Sequence, residues 1–461
     1  MQGIHGRSGQ TLQYRMDSMK PKTQPTDAFH LFQAHFRQLL NLDHPLIQLA
    51  DRIDWPRFDA AFADSYREEL GAPAKAIRLM VGLQYLKYTF NESDESVVER
   101  WVENPYWQYF CGFTHLQHEA PIDPSSMSRW RKRVGAERLE QLLQETIELA
   151  VREKQLPQSD LAQITVDTTV QEKNITYPTD SKLLHTAIRK LVEAATQRGV
   201  RLRQSYLRVG KRAAMMVGRY AHAKQFKRMR RELRRLRTWV GRLIRDITRK
   251  VGTPDVELVE VLQLAERIRH QQPQDSHKLY SWHEPEVQCI SKGKARQRYE
   301  FGQKIALATT NRSNWIVAAQ LMPDNPYDGH TLAATLAATE SITGRAITDV
   351  YVDKGYRGHG CEGSTRVHVA GAGSKRVPRS EQRRRRRRSA IEPKIGHLKS
   401  DHRVGRCFLR GLMGDAINIV LAAAGSNLRK LLRRFVFALR RWLGPLAESI
   451  PMYPHPMRAA A

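Results

Sequence analysis

An α+β chain is predicted, with helices toward both ends and a β-rich middle, and three patterns predict it. Before residue 156 apolar residues step at helical spacing, as in Ile77, Met80, Leu83 and Leu86, because side chains three and four apart share a helix face. Alternation replaces that pattern over 163–171, where Ile164, Val166, Thr168 and Val170 fall on one side and Thr165, Asp167 and Thr169 on the other, as in a strand. Between this strand and a second β-rich block lies a long basic helix. Its Phe226, Met229, Leu233, Leu236, Val240, Leu243 and Ile247 follow alternating three- and four-residue steps, which is a heptad stripe.

Taken in order, residues 1–26 are polar and read as a disordered segment, with Met16 and Met19 as alternative starts. Residues 27–156 read as an all-helical DNA-binding domain. A second helix begins at Val97, Trp101 and Val102, after the acidic, serine-containing stretch Asn91 to Glu95. The segment Asp123 to Gly135 opens on capping residues, carries Arg129, Arg131, Lys132 and Arg133, and ends on a glycine stop. Two readings of it stand level: a helix-turn-helix whose basic helix enters a major groove through Arg129 and Lys132, and a basic surface helix.

Residues 157–177 hold the first strand, which places Asp167 among threonines on a polar face. That is a platform for a metal ligand, although many strands show an aspartate to solvent. Residues 178–284 read as a basic helical insertion. Within 201–250 eighteen Lys and Arg face only Glu232 and Asp246. The heptad stripe is expected to pack on helices at 180–195 and 255–268. The face bearing Arg230, Arg231, Arg234 and Arg235 repels itself unless a polyanion is near.

Residues 285–412 carry strands at 299–308 and 315–319 with a hairpin across Asn311 to Asn314, then a helix at 329–343 for which Asp328 reads as a cap. A strand over 347–353 runs into Lys354-Gly355-Tyr356-Arg357-Gly358. Asp353 therefore sits at a strand's carboxyl end, where sheets of this kind build sites. Six arginines follow, Arg383 to Arg388, and then Glu392-Pro393. On a helix Arg388, Glu392 and Lys399 share a face, and Pro393 predicts a helix start or kink. Residues 413–461 read as C-terminal helices and a tail, with Leu428, Leu432, Phe435, Leu439 and Trp442 repeating between arginines.

The 461 residues carry a net charge of +29, so a polyanionic partner is the default expectation. Cys111, Cys289, Cys361 and Cys407 are too few and scattered for a disulfide framework, which fits a reducing cytoplasm. Cys111, His115 and His118 fall short of the four ligands of a structural zinc site. No signal peptide or membrane-spanning run is read, so no membrane partner is expected.

Asp167 in Ile-Thr-Val-Asp-Thr-Thr-Val, Asp353 in Asp-Lys-Gly-Tyr-Arg-Gly and Glu392 in Ile-Glu-Pro-x-Ile-Gly-His-Leu-Lys together resemble the three acidic motifs of bacterial insertion-sequence transposases of the DDE class. Arg388, Glu392 and Lys399 resemble the Arg-x3-Glu-x6-Lys pattern of the branch named insertion sequence five. Many relatives carry a tyrosine three residues before that arginine. Arg385 stands there in this chain, so the tyrosine's role does not carry over.

The resemblance runs from about Phe32 to about Leu432. It implies a ribonuclease-H-like mixed-sheet catalytic core with the first acid on the first strand, the second after the fourth and the third on a late helix. Asp167, Asp353 and Glu392 would then be catalytic and hold two Mg2+ (or Mn2+) ions, since three carboxylates can carry two such ions roughly 4 Å apart. Arg388 and Lys399, with Tyr356 and Arg357 as weaker candidates, would bind DNA near the cleaved end. The implied partners are double-stranded DNA, at transposon ends and target, and a second copy of the chain in a homodimer. A catalytically inactive DNA-binding descendant and a ribonuclease-H-like nuclease share most of these features.

Overall fold

The computed structural model describes residues 34–66, 74–272, 274–291, 298–371 and 377–443, with side chains of the last segment through residue 435. The expected disorder of 1–26 and the side chains of Leu439 and Trp442 lie outside the described residues.

Eight helices open the described chain: α1 (Phe36–Leu39), α2 (Pro45–Arg52), α3 (Trp55–Phe62), α4 (Ile77–Phe90), α5 (Asp94–Glu103), α6 (Pro105–Phe110), α7 (Ser125–Val134) and α8 (Ala136–Arg152). Local chemistry sets several of their starts. Asp54 accepts from the Arg57 amide to begin α3, Ser93 and Ser96 form a reciprocal capping box at α5, and Asn104 caps α6 ahead of Pro105, each meeting amide groups that a helix leaves unbonded. Gly135, at φ 81°, is the one residue between α7 and α8.

The sheet begins with β1 (Gln163–Glu172) and is then interrupted by α9 (Asp180–Gln197), α10 (Leu207–His222), α11 (Phe226–Val251) and α12 (Val256–His270). It resumes with β2 (Gln288–Ser291), β3 (Tyr299–Thr310) and β4 (Ile316–Met322), then α13 (Asp328–Thr343), β5 (Asp349–Val352) and β6 (Arg366–Val369). The strands lie in the order β2-β3-β1-β5-β6, and β4 also pairs with β3. β1 is antiparallel to β3 and parallel to β5, and β5 is parallel to β6, so the sheet is mixed. Gly302 is required where β3 crosses β1, because a Cβ there would lie 1.9 Å from the Gln171 carbonyl oxygen. The hairpin expected at Asn311 to Asn314 forms, closed by the Thr310 amide on the Trp315 carbonyl at 2.8 Å, with Asn314 left-handed at φ 56°.

Last come α14 (Arg379–Arg387), α15 (Ile391–Asp401) and α16 (Gly411–Leu443). One apolar core joins α2–α8, the sheet, α15 and α16, whereas α9–α12 bury a core of their own around Leu191, Leu236, Val240 and Leu243. α16 crosses α4 so closely at Gly425 that a Cβ would meet Tyr88 at 2.7 Å. Asn427 on α16 bonds both backbone groups of Ile316 on β4, meeting polar groups that would be costly to bury alone.

Candidate active site

Parallel pairing of β1 with β5 ends at Thr165 opposite Tyr351, and Asp167 and Asp353 each lie two residues further on. Residues two apart point to the same side and paired strands run about 4.8 Å apart, so the two carboxylates rise at one level, Asp167 from the middle of β1 and Asp353 from just past the end of β5. β1 is covered on both faces, and its sequence alternation therefore marks no solvent side. Asp167 is the one residue from Ile164 to Gln171 that is not buried. Its Oδ1 accepts from the Thr168 amide at 2.8 Å, and Asp353 Oδ1 accepts from the Gly355 amide at 2.9 Å, starting the turn Lys354–Tyr356.

The acid the fold adds to this pair is Asp328. Sequence reasoning reads it as a helix cap, and the structure corrects that: Tyr327 holds the N-cap position of α13 and no side chain caps the helix. Asp328 Oδ1 instead accepts from Thr168 Oγ1 and from Lys304 Nζ, both at 2.9 Å. A Cβ on Gly355 would lie 3.1 Å from Asp353 Oδ1 and 3.3 Å from Asp328 Oδ2, so two carboxylates flank that glycine. Asn-Pro-Tyr-Asp ahead of a helix is the only local signal for this acid, and its partners lie 160 and 24 residues away.

Tyr356 is fully buried beneath these acids. Burial, then the charges of Asp167, Asp328 and Asp353, push its phenol far above the usual tyrosine range. The expectation that Tyr356 contacts DNA is thereby corrected, since a buried ring reaches no phosphate. Arg357, one residue on, is exposed.

Glu392 stands in the first turn of α15, with Pro393 third in the helix. There the missing N–H costs nothing, so Pro393 marks a helix start and not a kink. α15 packs on β1, yet the Glu392 side chain is 61% exposed and meets Arg388 Nη2 at 3.5 Å. Lys399 turns to the buried Glu300 of β3, at 3.7 Å. Among the described residues no three His, Cys, Asp or Glu are placed to hold a metal ion. The three acids singled out in the sequence thus lie on adjoining elements without meeting. The donor chemistry fits a hard divalent ion, because Asp167, Asp328 and Asp353 offer carboxylate oxygens and their charges converge on one buried phenol.

The arginine run divides by its partners. Glu381 takes Arg385 at 3.1 Å and Arg384 at 3.8 Å, while Tyr351 and His368 hold Glu381 to the sheet. Arg383, Arg386 and Arg387 are left exposed. Arg129 and Lys132 are exposed on α7, but fourteen residues separate α6 from α7. A helix-turn-helix needs a turn of three or four residues before its recognition helix, so α7 is a basic surface helix. Arg230, Arg231, Arg234 and Arg235 are exposed on α11, where Arg235 bonds Glu232 at 3.0 Å.

Carboxylates on adjoining strands, on a chain with a net charge of +29, are the features expected of a protein that works on polyanionic phosphate chains. Comparison with known proteins makes the class particular. The family described as "Transposase domain (DUF772)" matches residues 34–133, and that described as "Transposase DDE domain" matches residues 265–428. A Rhizobium meliloti protein named "Uncharacterized protein ORF8 in nfe locus" is 50% identical over 208 residues, which is 45% of this chain and 100% of that protein. No solved structure matches. The chain belongs to the DDE transposases of insertion sequences. Asp353 and Glu392 fall within the matched DDE range, and Asp167 lies between the two ranges.

Proposed function

We propose that this transposase, of the insertion sequence five branch, binds the terminal inverted repeats of its element, cleaves the DNA there and joins the freed ends to target DNA. The observation that carries this reading is the level placement of Asp167 and Asp353 on parallel neighbouring strands, with α15, the helix that bears Glu392, packed against β1. The strand order supports a ribonuclease-H-like core, since an antiparallel β4-β3-β1 unit continues into parallel β5 and β6. α9–α12 are then the insertion after its first strand. The reading extends to work in the cytoplasm as a homodimer on paired ends.

Asp167 and Asp353 would hold two Mg2+ or Mn2+ ions with Glu392 completing the set. When bound, such ions activate the attacking oxygen and stabilise the leaving one in an in-line displacement at phosphorus. The chain's own work is positional. Lys304 and Thr168 fix Asp328 beside Asp353, and the Gly355 amide orients the Asp353 carboxylate. Arg388, four residues before Glu392, would bind a phosphate beside the cleaved end and guide that acid inward, with Lys399 of the same helix as a second contact.

The test is cleavage of duplex DNA carrying the element's own terminal repeats, with Mg2+ supplied. Glu392→Gln and Asp353→Asn are expected to keep DNA affinity and lose cleavage. Near-normal cleavage by Glu392→Gln removes that residue from the mechanism. A wild-type chain that binds the repeats and never cuts them is instead the inactive descendant, a reading the exposed position of Glu392 favours.

A further inference from the structure

The helix that carries Glu392 has a second working face. Lys394, His397 and Asp401 lie on the side of α15 opposite Glu392, since residues two, five and nine positions on along a helix are rotated by about 200°, 140° and 180°. There they meet α16 across a cavity of about 360 Å³, to which α16 contributes Arg429, Lys430 and Arg433. Six cationic or protonatable side chains, His402 among them, therefore line one cavity, and Asp401 is the one carboxylate among its lining residues. Asp401 is already engaged by His397 at 3.3 Å and Arg429 at 3.7 Å.

Like charges gathered on the walls of a cavity raise its energy unless an anion enters. Lys430 is held in place by the Ser313 carbonyl and by the Trp315 ring, 4.3 Å from the ammonium. Burial, then the charges of Lys394 and Arg434, hold its pKa down to about 7, the direction expected of a cation short of counter-charge.

We propose that this cavity binds a phosphate of the DNA backbone, and so ties α15 to DNA by the face opposite Glu392. The inference rests on the transposase reading above. It gives Glu392, which stands apart from Asp167 and Asp353 in the DNA-free chain, a means of being positioned by the substrate it cuts. Lys394, Lys430 and Arg433 act here as positioning residues and touch no reacting atom.

The measurement is binding of a labelled duplex of mixed sequence by the full chain over a range of NaCl concentrations. Lys430→Gln is compared with wild type, and Lys394→Gln keeps the comparison open if the first variant does not fold. In each, the slope of log affinity against log salt is expected to fall by about 0.9 for a lost phosphate contact, with the thermal melting temperature near that of wild type. Unchanged slopes in folded variants overturn the pocket while leaving the transposase reading intact. No duplex binding by wild type overturns both. A melting shift on adding inorganic phosphate that Lys394→Gln abolishes, with an unchanged duplex slope, assigns the cavity to a free anion and overturns the DNA assignment.

Discussion

Helices α7 and α11 are both arginine-rich, and they use their cations in opposite ways. On α7, Arg131 is buried and meets Asp94 through two bonds at 2.9 and 2.5 Å, and Lys87 meets the same carboxylate at 2.7 Å. On α11, Leu236, Val240, Leu243 and Ile247 are buried, while Arg230, Arg231, Arg234 and Arg235 stay in solvent and Phe226, at the head of the heptad stripe, is 50% exposed. The neighbours make the difference. α7 lies across α4 and α5, which close over it with an acid, whereas the acid beside the first turns of α11, Glu232 of the same helix, is shared between Arg231 and Arg235. A cation in a sequence declares its task only when its partner is known.

The sharpest way to break the comparison is Arg131→Ala. Removing one member of a buried ion cluster strands the others, which costs about 3–5 kcal/mol. Urea unfolding should show that loss, and a loss below 1 kcal/mol would place Arg131 with the surface arginines. The same cluster predicts a pH dependence. Burial raises the Asp94 carboxyl, but the Arg131 hydrogen bonds and the Lys87 charge outweigh it and hold it well below the usual carboxylate range. A folded-state value below the unfolded one contributes stability that is present above about pH 4 and lost as pH falls further. Asp94→Asn should therefore flatten the acid limb of a stability-against-pH curve, and an unaltered limb would remove Asp94 as its source.

How much of this was legible follows from where each signal lay. β1, the Asn311–Asn314 hairpin and the seam of α11 are readable because alternation, turn residues and heptads are local. Asp353 at a strand end is readable for the same reason. Asp328 is not, since its signal reads as a cap until β1 and β3 bring Thr168 and Lys304 to it. Tyr356 looks available beside Arg357 and lies beneath three acids, because the single 3-10 turn Lys354–Tyr356 carries its ring inward while Arg357, the residue after the turn, faces solvent. The face of α15 shared with α16 joins residues as far apart as Asp401 and Arg429, 28 positions, and Lys394 and Arg433, 39 positions, so no short window of sequence contains it. Nor could alternation in β1 name a solvent side, as a central strand is covered on both.

The smallest effect on stability belongs to α11, and it tests the other half of the comparison. Changing Arg230, Arg231, Arg234 and Arg235 together to glutamine keeps helix propensity and length but takes Arg231 and Arg235 from the buried Glu232, so stability to urea should fall by about 1–2 kcal/mol, still less than for Arg131→Ala. Duplex binding should weaken alike across sequences, and its salt slope should fall by up to about 0.9 for each arginine that meets a phosphate. Arg129→Gln with Lys132→Gln on α7 should lower the slope less, having two charges to lose. If the α7 pair lowers it as much as the α11 four, the DNA path runs over the N-terminal helices and the insertion stands aside from it. If neither does, the exposed arginines of both helices face protein, and the cations that hold DNA are those beside α15.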